Sequence, residues 1–106
     1  MSSLHLFNGL TFEEVEILDL IQEEAAEVIQ AIAKVKRHGF FAATQDATYN
    51  NRRDLEKELG HFLLSISLLT NLNQISISRI DSHRAQKRIE LENNPHYLHH
   101  VILPPI

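Results

Sequence analysis

Only three glycines and three prolines occur in 106 residues, and every proline lies at or after Pro95, so little can interrupt a helix before the last dozen residues. This scarcity of breakers predicts long helices and an all-α fold. The stretch "TFEE", Thr11 to Glu14, has the spacing of a capping box and opens a first helix. That helix runs to about His38, with Gly39 as its stop. Residues 40–51, "FFAATQDATYNN", read as a loop, with Asn51 as the cap of a second helix and Asp54 in its first turn. The second helix runs to about Leu72, "NLNQ" makes a turn, and a third helix spans about Ser76 to Glu92. The expected organisation is one domain over 1–106, with a helical core at about 9–92 and an irregular tail at 93–106.

On a helical wheel, Ile21, Ala25, Val28, Ile32 and Val35 share one sector of the first helix, and Glu24 falls inside it. Glu27 sits at the sector's edge beside Leu20, while Glu23 points to the polar side. On the second helix Leu55, Leu59, Phe62, Leu63, Ile66 and Leu69 form a core stripe, and Leu64, Leu68 and Leu72 extend apolar character nearly all round. A helix of that kind in so short a chain predicts an antiparallel helical bundle completed by oligomerisation. Glu58 lies among these apolar residues and His61 beside Leu68.

A buried, unpaired carboxylate costs several kcal/mol or is neutralised, so carboxylates on a packing face call for a compensating charge. Glu24 and Glu27 are three residues apart and share a face, as do Glu58 and His61. Two such pairs on facing helices can surround a divalent cation, and oxygen ligands suit Mg²⁺ or Mn²⁺, ions that hold phosphate-bearing substrates. The ordinary alternatives are solvated or salt-bridged glutamates and a satisfied core histidine. Glu56 and Lys57 read as plain surface charges.

Composition narrows the remaining classes. A formal net charge of -4 disfavours a nucleic-acid module, and the absence of cysteine removes disulfides and thiolate metal sites. "MSSLHLFNGL" lacks a charged-then-apolar signal pattern, and no apolar run is long enough to span a membrane, so the expected compartment is the cytoplasm. There is no glycine-rich phosphate loop and no nucleophilic serine or cysteine arrangement. Phosphate binding would rest on metal and basic side chains.

"EEAAE" (Glu23 to Glu27) followed by "ELGH" (Glu58 to His61) resembles the MazG-like all-α nucleoside triphosphate pyrophosphohydrolases, whose pattern is EExxE, a spacer, then ExxD. The words "EVIQAIAKVKRHGF" and "NRRDLEKELG" and the late "YLHH" extend the likeness from about Gly9 to His100. The resemblance implies a helical homodimer or homotetramer that hydrolyses nucleoside triphosphates between the α and β phosphates, giving nucleoside monophosphate and pyrophosphate, in nucleotide-pool housecleaning. By position it makes Glu24, Glu27 and Glu58 metal ligands and Glu23 the first motif glutamate, a catalytic residue. Lys87 and Arg88 become the phosphate contacts, where the plain reading is a solvated basic face. His61 stands where the family has aspartate. Imidazole suits Mn²⁺, Zn²⁺, Ni²⁺ or Fe²⁺ better than Mg²⁺. The spacer is long, and its loop offers Phe40, Phe41 and Tyr49 to a nucleobase.

Two other readings fit some of these residues. Glu-x-x-His is a di-iron signature, and two copies of Glu27 with Glu58 and His61 would complete a ferritin-like site. A catalytically degenerate helical interaction module is the second. His96, His99 and His100 form a further cluster, which Pro95 and the proline-rich end disfavour as a helical metal site.

Overall fold

A computed structural model describes residues 8–43, 49–94 and 96–105. The reading of "MSSLHLF" as lacking a signal pattern lies outside the described residues. The described chain is all-α, with helices α1 (Phe12–His38), α2 (Asn51–Asn71) and α3 (Ile77–Asn93). It falls into two compact units, 1–74 and 75–106.

Helix α1 begins as its sequence dictates. Thr11 Oγ1 accepts from Glu14 N at 3.0 Å and Glu14 Oε1 accepts from Thr11 N at 2.7 Å, closing the capping box. Glu13 and Glu14 occupy the first turn and Lys36, Arg37 and His38 the last, each favoured by the helix dipole. Gly39 ends the helix at φ 88, ψ 168, a region open essentially only to glycine.

Helix α2 is capped by Asn50, whose Oδ1 accepts from Arg53 N at 2.9 Å. The expected cap, Asn51, is instead the first helical residue and is buried. Its side chain is needed elsewhere: Nδ2 donates to Gly39 O at 3.1 Å, bridging the end of α1 to the start of α2. Asn51 N donates to Ala42 O and Arg52 N to Phe40 O, which fasten the connection from the loop side.

The α1–α2 hairpin is antiparallel, with Gly39 beside Asn51 and Glu24 beside His61. Its seam does not follow the wheel. The covered or half-covered positions on α2 and its C-terminal cap include Asn51, Leu55, Glu58, Phe62, Ser65, Leu69 and Leu72, and on α1 Glu14, Ile17, Ile21, Glu24, Val28, Ala31 and Val35. Both rows alternate three and four residues apart, the repeat of a coiled-coil seam. An apolar stripe drawn at 3.6 residues per turn drifts off such a seam along a long helix. Leu59, Leu63 and Ile32, expected in the core, are therefore exposed, as are Leu64 and Ile29. Ser65 is completely buried, with Oγ donating to Phe62 O at 2.6 Å so that no polar atom is left unmet.

The second unit holds α3, opened by Ser76 Oγ accepting from Arg79 N. It has no buried residue and carries the ion pairs Arg84–Asp81, Lys87–Glu90 and Arg88–Glu92 along its length. Arg88 also donates to Pro104 O of the tail.

Candidate metal centre

Seam positions place Glu24 and Glu58 between α1 and α2, and one turn further along each helix come Glu27 and His61. Ligand atoms of Glu24, Glu27 and His61 all lie within 4.8 Å of one another. Among the described residues this is the only such group of three or more histidine and acidic side chains. Glu58 joins it through His61 Nδ1, 3.5 Å from Glu58 Oε1, and lies close enough to Glu27 for that carboxyl to act on its own. The same Nδ1 stands 3.6 Å from Glu24 Oε2, too far for a hydrogen bond.

The electrostatics are unfavourable without a cation. Glu58 is only 8% exposed. Its burial, then the neighbouring Glu27 carboxyl and its charge, push its carboxyl above the ordinary glutamate range, with Lys57 acting in the opposite sense. Glu24 Oε2 is buried with no hydrogen-bond partner. An orphaned buried carboxylate oxygen beside two further carboxylates and an imidazole is the donor set a divalent cation satisfies. The residues fit such an ion.

His61 forms the rim of the group. Its side chain is 54% exposed, which rules out a core histidine packed away from water. Glu23 is exposed on α1 and is not one of the grouped ligands. Lys87 and Arg88 belong to the second unit. There Lys87 Nζ is 3.6 Å from Glu90 and 4.9 Å from the centroid of the Tyr97 ring, and Arg88 is held by Glu92 and Pro104. His96, His99 and His100 are exposed and enter no such group among the described residues.

A family model for the MazG nucleotide pyrophosphohydrolase domain matches residues 12–94, which spans both motif segments and all three helices. The chain belongs to the MazG nucleotide pyrophosphohydrolase domain family. The all-α fold is that of the MazG domain, and nucleotide pyrophosphohydrolysis is the chemistry that membership brings. No curated protein matches the chain, and no solved structure matches it. No helix among the described residues is long and apolar enough to cross a membrane.

Sequence reasoning passed over two side chains beside this MazG-type cluster. Lys57, read as a surface charge, has Nζ 3.3 Å from Asp54 Oδ1 and 3.9 Å from Glu58 Oε1. Asp54, noted only for the helix dipole, is largely covered and adds to the negative field at Glu58. Asp54 stands three residues before Lys57 and four before Glu58, and that spacing was the available signal.

Proposed function

We propose that this protein hydrolyses nucleoside triphosphates to nucleoside monophosphate and pyrophosphate with a divalent cation held by Glu24, Glu27, Glu58 and His61. The observation that carries the reading is the buried, unpartnered Glu24 Oε2 within an acidic group of a MazG domain. Three carboxylates and one imidazole suit Mn²⁺ or Mg²⁺, with the nitrogen favouring Mn²⁺ and softer ions. When bound, such an ion supplies Lewis-acid polarisation of phosphoryl oxygens and of water.

The chain's own residues do the rest. Glu24 and Glu58, anchored in the helix seam, fix the position of the anionic ligands. Glu23, exposed to solvent next to Glu24, accepts the proton of the water that attacks the α-phosphorus as the α–β bridge breaks. The family pattern gives Lys87 and Arg88 a phosphate-binding role, in which a phosphate would replace their Glu90 and Glu92 partners. The products suit a cytoplasmic housecleaning role in the nucleotide pool.

Oligomerisation is part of this reading. Ile29, Leu63 and Leu64 are each at least 60% exposed in the α1–α2 hairpin, an apolar surface that a homodimer or homotetramer would cover. A panel of nucleoside triphosphates incubated with Mg²⁺ or Mn²⁺, with pyrophosphate and phosphate quantified separately, tests the activity. Release of pyrophosphate with an equal amount of monophosphate is expected. Release of phosphate alone, or no turnover with any ion, overturns it.

A further inference from the structure

The Lys57 ammonium connects two features that the hydrolytic reading leaves separate. On one side lie the carboxylates, with Asp54 at 3.3 Å and Glu58 at 3.9 Å. On the other lies the Tyr49 ring, its centroid 5.4 Å from Lys57 Nζ and 6.0 Å from the Arg53 guanidinium carbon. Arg52 stands over the ring of Phe41 at 5.2 Å, so the aromatic residues that enclose the loop are faced by cations from the first turns of α2. Tyr49 is 37% exposed, and Lys57 is also partly open to solvent. The place is built by the backbone: Asn50 caps α2, and Ala43 and Asn50 form a β-bridge.

We propose that Lys57 and Tyr49 form the nucleotide-recognition surface of the acidic site, Lys57 contacting the triphosphate and the Tyr49 ring stacking on the base. This rests on the pyrophosphohydrolase reading. A triphosphate seated at the carboxylate group carries excess negative charge, and Lys57 is the lysine that pairs with Glu58. A lysine ammonium is cationic throughout the neutral region, and this one is partly open to solvent beside the carboxylates. An aromatic face flanked by basic side chains is the arrangement that takes a base by stacking and its phosphates by charge, with little dependence on base identity. Lys57 thereby offsets part of the negative charge of Asp54 and Glu58 before the ligand arrives and exchanges a carboxylate for a phosphate when it does.

The test uses a non-hydrolysable α,β-methylene nucleoside triphosphate and inorganic triphosphate, each titrated calorimetrically with Mn²⁺ present, and Mn²⁺ titrated alone. Lys57→Met and Lys57→Gln are expected to weaken both anions by on the order of tenfold or more, as loss of a charge-assisted contact does. Lys57→Arg should retain most of the affinity. Binding of Mn²⁺ alone should be unchanged or tighter in all three. Tyr49→Leu should weaken the nucleotide by roughly fivefold or more through lost stacking and leave inorganic triphosphate untouched. Wild-type protein that binds both anions while the Lys57 variants bind them equally well overturns the proposal and leaves the hydrolase reading standing. Equal loss of both anions in Tyr49→Leu overturns the stacking role. Wild-type protein that binds Mn²⁺ but neither anion overturns both.

Discussion

Glu24 Oε2 on α1 lies 3.6 Å from His61 Nδ1 on α2, a buried oxygen facing a nitrogen at the surface with no hydrogen bond between them. A separation of that size leaves both lone pairs available to a third atom. In the proposed metal site, His61, standing where the family pattern has aspartate, would be the residue that sets the ion's identity.

His61→Asp should therefore move the site from a mixed nitrogen and oxygen set to an all-oxygen one. Affinity for Mg²⁺ should rise relative to Mn²⁺ and Zn²⁺. In metal-free protein the new carboxylate adds to the repulsion among Glu24, Glu27 and Glu58 and should lower the melting temperature, and a bound divalent cation should restore it. Calorimetric titrations of both proteins check this. An unchanged preference in a folded variant would remove His61 from the ligand set.

Glu24→Gln and Glu58→Gln should each lower kcat/KM by at least about a hundredfold, since electrophilic stabilisation of the phosphoryl group is worth several kcal/mol. Steady-state rates at limiting metal measure it. Either variant keeping full activity would exclude that residue as a ligand.

The same Glu58 gives a pH signature in metal-free protein. Its folded carboxyl titrates above the ordinary value of 4.5, so between the unfolded and folded values the folded state binds more protons. Stability conferred by the protonated form is present below the unfolded value and falls as pH rises through the window above 4.5. Glu58→Gln should flatten that fall and raise the melting temperature at neutral pH. Melting curves against pH, with chelator present, compare the two proteins.

Two glycines should respond oppositely to alanine. Nothing lies within 4 Å of a Cβ built at either Gly39 or Gly60, so only the backbone decides. Gly39→Ala meets the positive φ and should cost about 1–3 kcal/mol. Gly60→Ala, inside α2, should stabilise by about 0.5–1 kcal/mol by removing backbone freedom from the unfolded chain. Chemical denaturation measures both.

Leu63→Lys places a charge on the exposed apolar face of α2 and should dissociate a dimer or tetramer. Light scattering at micromolar concentration reads the mass. A wild-type monomer under those conditions would contradict the assembly.

Much of this was legible before any coordinates. The capping box at Thr11, the stop at Gly39 and the third helix's start near Ser76 follow from local chemistry, which needs only neighbours in sequence. Glu24 and Glu58 betrayed themselves by breaking an apolar pattern. Asn51 misled because two adjacent asparagines can both cap, and the choice depends on Gly39 O, twelve residues away. Leu59 and Leu63 misled because a wheel assumes a straight helix, while the hairpin packs on a repeat of seven. Lys57 was hidden by its type, since most lysines beside an acid are only solvated.

The seam repeat has a consequence for alignment. On α2 the positions seven apart run Asn51, Glu58, Ser65, while the alternate row runs Leu55, Phe62, Leu69. Sliding α2 by one repeat, about 10 Å along its axis, would match bulky apolar residues to bulky apolar residues, and oily packing alone would hardly object. The polar row does object: such a slip puts Ser65 where Glu58 belongs and strips Glu27 of its neighbouring carboxyl. The carboxylates that suit a cation thus also work as a vernier, fixing how far along α1 the second helix stops.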